Sequence, residues 1–254
     1  MNKLISRSYL TLFYSVLYLP IIIVICFSFN AAERSQIWHG FTWHWYQALW
    51  NDSEMITVAW HSLTIAITSA TIASVMGLIA AISLYRYRFF GKPLMSGVIF
   101  MLIIIPDLVL GIALLLLYRI LNLELGFYSI LIAHITFSIP FTCVMINSQL
   151  STLNKHLLEA ATDLGAGEYI LFKRIIIPLL LQSIIAGWLL AFTLSIDDVV
   201  ISYFVSGPDF EILPLKIFSM VKLGVSPEIN ALSTVMLLLT LSVALLSHWL
   251  LKKR

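Results

Sequence analysis

The chain has 254 residues, of which 60% are hydrophobic and only 11% are charged. A soluble domain usually carries about 25% charged residues, so this composition excludes a soluble protein and indicates a polytopic membrane protein. The net charge of +2 gives no reason to expect nucleic acid binding. Both cysteines, Cys26 and Cys143, lie inside apolar runs, so no disulfide framework is indicated.

Six apolar stretches are long enough to cross a bilayer, which needs about 20 residues per helix. They lie near residues 9–29, 60–84, 95–118, 127–148, 181–205 and 229–251. The first resembles a signal peptide because Lys3 and Arg7 precede it, but it is longer than a signal sequence requires. The sequence therefore predicts an all-α protein with six transmembrane helices, and no linker or repeat divides the single domain 1–254.

The basic residues predict the orientation of the chain in the membrane. With six spans, both termini share one side with the connections near 85–94 and 149–180. Eleven of the 15 Lys and Arg residues fall on that side, and only Arg34, Arg119, Lys216 and Lys222 fall on the other. Because cytoplasmic loops carry the excess of Lys and Arg, we expect both termini and the 149–180 connection to be cytoplasmic.

The predicted outer connections are rich in acidic and aromatic residues. They hold seven Asp and Glu residues against four basic ones, which favours a cationic ligand, although acidic loops also cross membranes more easily than basic ones. The segment 30–59 contains four tryptophans, Trp45 among them. Such rings either anchor the chain at the membrane interface or bind a cation through their faces. Gly and Pro residues in 206–228 predict a folded-back hairpin or a short surface helix.

Three acidic residues, Asp107, Asp197 and Asp198, lie inside predicted spans. Charged groups are costly there and are candidates for function. At 1.5 Å per residue all three fall in the outer half of the membrane, where they could share one vestibule. Asp107 follows Pro106, so it could cap a kinked helix, bind a ligand, or do both.

We treat 181–205 as one continuous helix. Asp197 and Asp198 then point about 100° apart, and a stripe of small and polar residues runs through Asp198. This stripe comprises Gly187, Ala191, Ser195, Asp198 and Ser202. It could line a polar path or let a neighbouring helix approach closely. No Lys or Arg inside a span can pair with these carboxylates, which favours an external cation.

The sequence lacks the motifs for ATP hydrolysis, metal binding and nucleophilic catalysis. There is no Walker-type phosphate-binding loop, so any ATP hydrolysis belongs to another chain. The six histidines show no metal-ligand spacing, and we interpret them as interfacial or helix-packing residues. No nucleophile elbow is present. The sequence predicts neither an enzyme nor a bound cofactor or metal.

The segment 159–178 carries the clearest motif. Leu157, Ala160, Ala161 and Leu164 share one helical face, while Glu159, Thr162 and Asp163 share the other. Gly165 is placed to end this helix, and we expect a second helical piece to break at Pro178. A face of small residues on a short cytoplasmic helix suits docking against another protein.

This motif, Glu-Ala-Ala, three residues, Gly, nine residues, then Ile-x-Ile-Pro, resembles the cytoplasmic loop of bacterial ABC-importer permeases. In that family Leu stands where this chain has Ile177. The resemblance implies a type I importer fold in the inner membrane. It also implies that Glu159, Ala160, Ala161, Gly165 and Pro178 belong to coupling helices that dock on an ATPase subunit.

Further segments are similar to the polyamine branch of that family: Tyr85–Phe89, Pro106-Asp107, Asp197–Val200, Phe204–Pro208 and Gly224–Ala231. The resemblance implies a spermidine/putrescine importer with a sister permease, an ATP-binding subunit dimer and a periplasmic polyamine-binding protein. It places Trp45, Asp107, Ser195, Asp197 and Asp198 along the substrate path and Glu168 beside the coupling loop.

We therefore expect a permease subunit that moves polyamines into the cytoplasm. One alternative is a permease of the same class for another cation such as ferric iron, with the acids as ligands. A second is an ion-coupled secondary transporter or channel with the acids as a proton relay. A third is a structural membrane scaffold.

Overall fold

The computed structural model describes residues 3–32 and 37–252 of the chain. Within these ranges the chain is helical, and its β-structure is confined to two isolated bridges. The helices are α1 (Lys3–Phe27), α2 (His44–Asn51), α3 (Ser53–Arg86), α4 (Lys92–Ile104), α5 (Asp107–Ile120), α6 (Phe127–Thr152), α7 (Lys155–Asp163), α8 (Glu168–Ile170), α9 (Ile177–Asp197), α10 (Val200–Val205), α11 (Leu213–Leu223) and α12 (Pro227–Lys252), with a π-helical turn at Leu171–Ile176.

Helices long and apolar enough to span a membrane agree with the predicted apolar stretches. Five are continuous, namely Arg7–Phe27, Ser53–Arg86, Phe127–Thr152, Glu168–Asp197 and Pro227–Leu245. The α4–α5 pair makes a sixth if it is counted as one span. The all-α, multi-span prediction is confirmed.

The predicted third span is not a continuous helix. Helices α4 and α5 meet at an angle of 116°, and Ile105 and Pro106 between them are both extended, with ψ near 133° and 138°. Pro106 offers no backbone N–H and disfavours a helical conformation at the preceding residue. The kink predicted at Pro106 is therefore a full break in the helix.

The predicted fifth span departs from a single helix in two places. We expected a break at Pro178, but the helix runs from Glu168 to Asp197, and a π-helical turn, Leu171–Ile176, comes just before the proline. A wider turn absorbs both the missing N–H and the ring of proline. The actual interruption lies later, at Asp198 and Val199, where α9 ends and α10 has yet to begin. Asp198 is extended there, with ψ 124°.

The described residues form two compact units. The first unit takes residues from Met1–Ala59 and Lys216–Ser242. Its connection after α1 is organised by Asn30, which is fully buried. The Asn30 amide donates to the carbonyl of Ile37, and its side-chain oxygen accepts from the backbone N–H groups of Ala32 and His39.

The second unit takes residues from Trp60–Leu215 and Val243–Arg254. It has two apolar cores. One core joins α3, α5, α6 and α10 through residues such as Ile65, Leu114 and Ile130. The other joins α3, α4, α6 and α9 with the π-helical turn, through residues such as Ile146 and Leu180.

Close helix contact in the second unit depends on Gly77 of α3. A Cβ atom added at Gly77 would overlap the side chain of Thr142 on α6. The Thr142 hydroxyl donates to the carbonyl of Ala73, 2.9 Å away. Small residues let membrane helices approach closely enough for such bonds. At Gly77, α3 and α6 are therefore in close contact and joined by a hydrogen bond.

The segment 206–228 contains both structures that its Gly and Pro residues allowed. Gly207 and Phe210 form an antiparallel bridge that closes a tight turn, and α11 follows as a short helix. The prediction of a folded-back segment is confirmed.

Candidate functional site

The first part of the site is the break between α4 and α5. Asp107 is the first residue of α5 and is exposed. Among the described residues no side-chain hydrogen bond caps this helix start, which leaves ligand contact as the other role predicted for Asp107. Its carboxylate lies at the positive end of the helix dipole and is free to meet a ligand.

The second part is the break between α9 and α10. The Asp198 carboxylate accepts the backbone N–H groups of Ile201 and Ser202, at 3.2 and 2.8 Å. It also accepts the Ser202 hydroxyl at 2.7 Å. These bonds satisfy N–H groups that a helix start would otherwise leave unpaired. Asp198 therefore caps the start of α10 from two residues before its first residue, Val200.

The two breaks line one cleft of about 440 Å³. All three acids, Asp107, Asp197 and Asp198, face it. The other lining residues come from α4, α5, α6, α9, α10 and the two breaks. They are apolar except for one threonine: Leu102, Ile103, Ile105, Leu110, Phe137, Phe141, Thr193, Leu194, Val199, Val200 and Ile201. The shared vestibule expected from the sequence exists, and its lining contains no Lys or Arg.

The two adjacent acids differ in their surroundings. The Asp197 side chain is exposed, and among the described residues it has no hydrogen-bond or ion-pair partner. The Asp198 side chain is only 8% exposed and lies 3.5 Å from Nε2 of His134. No Lys or Arg reaches Asp198 among the described residues, but the imidazole of His134 does.

His134 is the residue that sequence reasoning missed. It is completely buried on α6, and its ring nitrogens lie 2.7 Å from Ser195 Oγ and 2.9 Å from Ser202 Oγ. The sequence did contain a signal, because an ionisable histidine in the middle of an apolar span is as unusual as an aspartate. The sequence pattern alone predicts an interfacial or helix-packing role for it.

Ser195 and Trp45 lie outside the lining of the cleft. Ser195 is 2% exposed and accepts a hydrogen bond from Ser69 of α3 at 3.1 Å. Trp45 belongs to the first unit, where its indole N–H donates to the carbonyl of Asn30 at 2.8 Å. Its ring is half-buried. Both residues therefore have structural contacts, and their roles along a substrate path remain predictions.

The predicted coupling segment forms a short helix with an open surface. Asn154 caps α7 by accepting the backbone N–H of His156 at 3.0 Å. Ala161 packs against the second core, while Ala160 and Glu159 are exposed. Gly165 ends the helix with φ +84°, as predicted for a glycine in this position.

Charged side chains form one contact within this segment and one to another helix. His156 and Glu159 lie 3.0 Å apart on α7. Glu168 of α8 forms an ion pair of 2.6 Å with Arg86 at the end of α3. Pro178 is exposed just after the π-helical turn. All six residues of the predicted coupling site thus lie on one continuous stretch, α7 to the start of α9.

Metal binding by this chain finds no geometric support. Across residues 3–32 and 37–252, no three His, Cys, Asp or Glu side chains converge as a metal site requires.

The protein has apolar helices that can span a membrane, and two helix breaks line an acidic cleft. It also has the predicted coupling segment, α7 to the start of α9. This combination is typical of a transport permease. Residues 73–253 match the family described as binding-protein-dependent transport system inner membrane component. The chain belongs to this family. It is therefore a multi-pass inner-membrane subunit of a transport system, and it carries no catalytic activity of its own.

Relatives with similar sequences lie within this family. The spermidine/putrescine transport system permease protein PotC of Escherichia coli (strain K12) is 49% identical over 247 residues, which cover 97% of this chain and 94% of PotC. The putrescine transport system permease protein PotI of the same strain is 42% identical over 238 residues, covering 90% and 84%.

The fold is also similar to that of a solved transporter. A chain in the crystal structure of a bacterial ABC transporter, involved in import of the acidic polysaccharide alginate, superposes with a TM-score of 0.79 at 14% identity. The match covers 98% of this chain and 95% of the other. The importer-permease fold expected from the coupling motif is confirmed.

Proposed function

We propose that this chain is a permease subunit that moves polyamines from the periplasm to the cytoplasm at the expense of ATP hydrolysed by a partner. The observation that carries the proposal is the cleft, in which Asp107 and Asp197 present free carboxylates between apolar walls. A polyamine has the complementary pattern, since protonated amines alternate with methylene chains. The names of PotC and PotI support the same substrate class.

Weak, distributed binding is what transport requires of such a cleft. A site that binds too tightly does not release its substrate. Two exposed carboxylates attract ammonium groups, and the rings of Phe137 and Phe141 contact the methylenes. The substrate therefore gains several modest contacts. We expect Trp45 to contribute a further contact where the substrate enters.

The partners of this chain follow from its class and from the coupling segment. We infer a sister permease, a dimer of ATP-binding subunits and a periplasmic polyamine-binding protein. The exposed surface of α7, with Glu159 and Ala160, is the part that docks on the ATPase. The distribution of Lys and Arg supports a topology in which both termini and this segment face the cytoplasm.

ATP binding then moves the coupling segment as a lever, and the permease alternates between outward-facing and inward-facing states. Because α8, the π-helical turn and α9 form one helix from Glu168 to Asp197, a displacement of α7 that passes through the turn at Gly165 to Glu168 reaches Asp197 along that helix. This continuity links ATP hydrolysis to the cleft.

The test is uptake of labelled spermidine by the complete importer in proteoliposomes, with ATP supplied to the ATPase side. We expect uptake only with ATP and the binding protein. Asp107→Asn and Asp197→Asn each remove one carboxylate that faces the substrate, and we expect each to slow uptake about tenfold.

Asp209→Asn is the matched control, because Asp209 is an exposed acid in the tight turn outside the cleft. It should transport at the wild-type rate. Uptake of spermidine without the ATPase would instead identify a secondary transporter. Uptake that excess ferric chelate abolishes and excess polyamine leaves unchanged would overturn the substrate assignment.

A further inference from the structure

A network of hydrogen-bonded side chains joins helices of the second unit and ends at Asp198, which lines the cleft. Ser69 of α3 contacts Ser195 of α9, Ser195 contacts His134 of α6, and His134 contacts Ser202 of α10, which contacts Asp198. The successive distances are 3.1, 2.7, 2.9 and 2.7 Å. The histidine and the three serines are each at most 2% exposed. This network thus connects four helices, α3, α6, α9 and α10, beside the α9–α10 break.

The carboxylate at one end determines the direction of the two nearest hydrogen bonds, and a ring with a single hydrogen determines the others. An ionised carboxylate only accepts, so the single hydroxyl hydrogen of Ser202 points to Asp198. The bond between Ser202 and His134 must then be donated by Nε2–H. Nδ1 is left as an acceptor, and it takes the hydroxyl hydrogen of Ser195, which in turn accepts from Ser69. A neutral imidazole with its hydrogen on Nε2 gives every hydrogen bond of this network one donor and one acceptor.

We propose that His134 is a positioning residue of the transport cleft. It holds the Asp198 carboxylate against the N–H groups of the first turn of α10, and so maintains the helix break from which Asp197 faces the substrate. Asp198 is therefore committed to structure, and Asp107 and Asp197 are the carboxylates that meet the polyamine. This inference rests on the proposed function for its role in transport, but the positioning itself does not.

Only an imidazole fits the position between Ser195 and Ser202. It offers an acceptor and a donor on opposite edges of one rigid ring, and these reach α9 and α10 at once. A glutamine carries its donor and acceptor on the same end, so it can serve Ser202 but not both serines. A phenylalanine fills the volume and serves neither, which leaves buried hydroxyl groups without partners.

The first measurement needs no substrate. In the purified, complete importer, hydrogen–deuterium exchange is followed for the peptide that contains Ile201 and Ser202, whose amides bond to Asp198. We expect His134→Phe to speed this exchange about tenfold, and His134→Gln to stay closer to the wild type. The control is Ser138→Ala, since Ser138 is buried one turn away on α6 and its hydroxyl has no hydrogen-bond partner among the residues that the structure describes.

The second measurement is the amount of spermidine moved per ATP hydrolysed in proteoliposomes. Poor assembly lowers uptake and ATP hydrolysis together, whereas a misplaced cleft lowers uptake alone. We expect this ratio to fall about tenfold in His134→Phe, to recover in large part in His134→Gln, and to stay unchanged in Ser138→Ala.

The outcomes separate the two proposals. Unchanged exchange in His134→Phe overturns the positioning role, whatever the transport data show. Faster exchange with an unchanged transport ratio also overturns it, because the break would then not matter for the cleft. If the wild-type importer moves no polyamine, the proposed function fails, while the exchange measurement still decides whether His134 holds Asp198. Faster exchange together with a lower ratio supports the inference.

Discussion

Nη2 of Arg86 lies 2.6 Å from Oε1 of Glu168, so an ion pair joins the last residue of α3 to the first residue of α8. The Glu168 side chain is 69% exposed, and such pairs contribute at most about 1 kcal/mol to stability. Their value here is geometric, because the pair fixes the start of the helix that leads to the cleft.

Reversing one charge of this pair should misplace α8. We expect Glu168→Arg to slow ATP-driven uptake about threefold, since two guanidinium groups then repel each other. The double variant Arg86→Glu/Glu168→Arg restores the attraction and should recover most of the uptake. If the double variant is as slow as the single one, Glu168 acts through another chain and not through Arg86.

Gly165 allows a direct test of backbone geometry in the coupling segment. Its φ is +84°, a conformation that costs residues other than glycine about 1–2 kcal/mol. Gly165→Ala should therefore loosen the end of α7 and lower both binding of the ATPase subunit and ATP-driven uptake. Co-purification of the ATPase subunit in detergent measures the first effect.

Gly167→Ala is the control for this variant. A Cβ atom at Gly165 or at Gly167 meets no atom within 4 Å, but only Gly165 has a positive φ. The Gly167 variant should bind the ATPase as the wild type does. Equal losses in both variants would mean that the segment tolerates no added methyl group, and the conformational argument would fail.

Hydropathy and charge predicted much of this molecule, because both act locally in a membrane. The apolar stretches became helices since a backbone in lipid must satisfy its own hydrogen bonds. The unusual cost of buried charge singled out Asp107, Asp197 and Asp198, and the structure brings all three to one cleft. Gly165 was identified as a helix end for an equally local reason, its freedom at positive φ.

The breaks and the histidine depended on contacts that a linear pattern does not contain. Pro106 gave a local signal, but only the packing of α5 decided that the chain turns by 116°. The break after Asp197 has no proline or glycine near it. There Asp198 bonds to the start of α10, and His134, more than sixty residues away, lies 3.5 Å from the same carboxylate and bonds to Ser202. Periodicity therefore favoured a continuous helix.

The contact between α3 and α6 predicts a strong effect at Gly77. A methyl group there overlaps Thr142 and the backbone of Cys143, so Gly77→Ala should separate the helices and break the bond from Thr142 to Ala73. We expect a lower melting temperature of the purified complex in detergent and less protein in the membrane. Overpacking of this kind costs about 1–3 kcal/mol.

Gly97→Ala in α4 is the matched change, because its added Cβ meets no atom within 4 Å. Alanine is favoured over glycine inside a helix by about 0.5–1 kcal/mol, so this variant should melt at the wild-type temperature or above it. A Gly77 variant that melts no lower than the Gly97 variant would contradict the close contact of α3 with α6.

Two substitutions at Trp45 distinguish a structural role of this residue from a role in recognising the substrate. Its indole N–H donates to Asn30, and its ring is the part that can attract an ammonium group. Trp45→Phe keeps a ring and loses the donor, while Trp45→Leu loses both. We expect spermidine uptake to fall about twofold in the phenylalanine variant and about tenfold in the leucine variant, because the cation–π attraction survives only in the first.

Trp50→Leu is the control, since Trp50 is 80% exposed and should tolerate the change. Equal losses in both Trp45 variants would assign the residue to the hydrogen bond with Asn30 and not to the substrate.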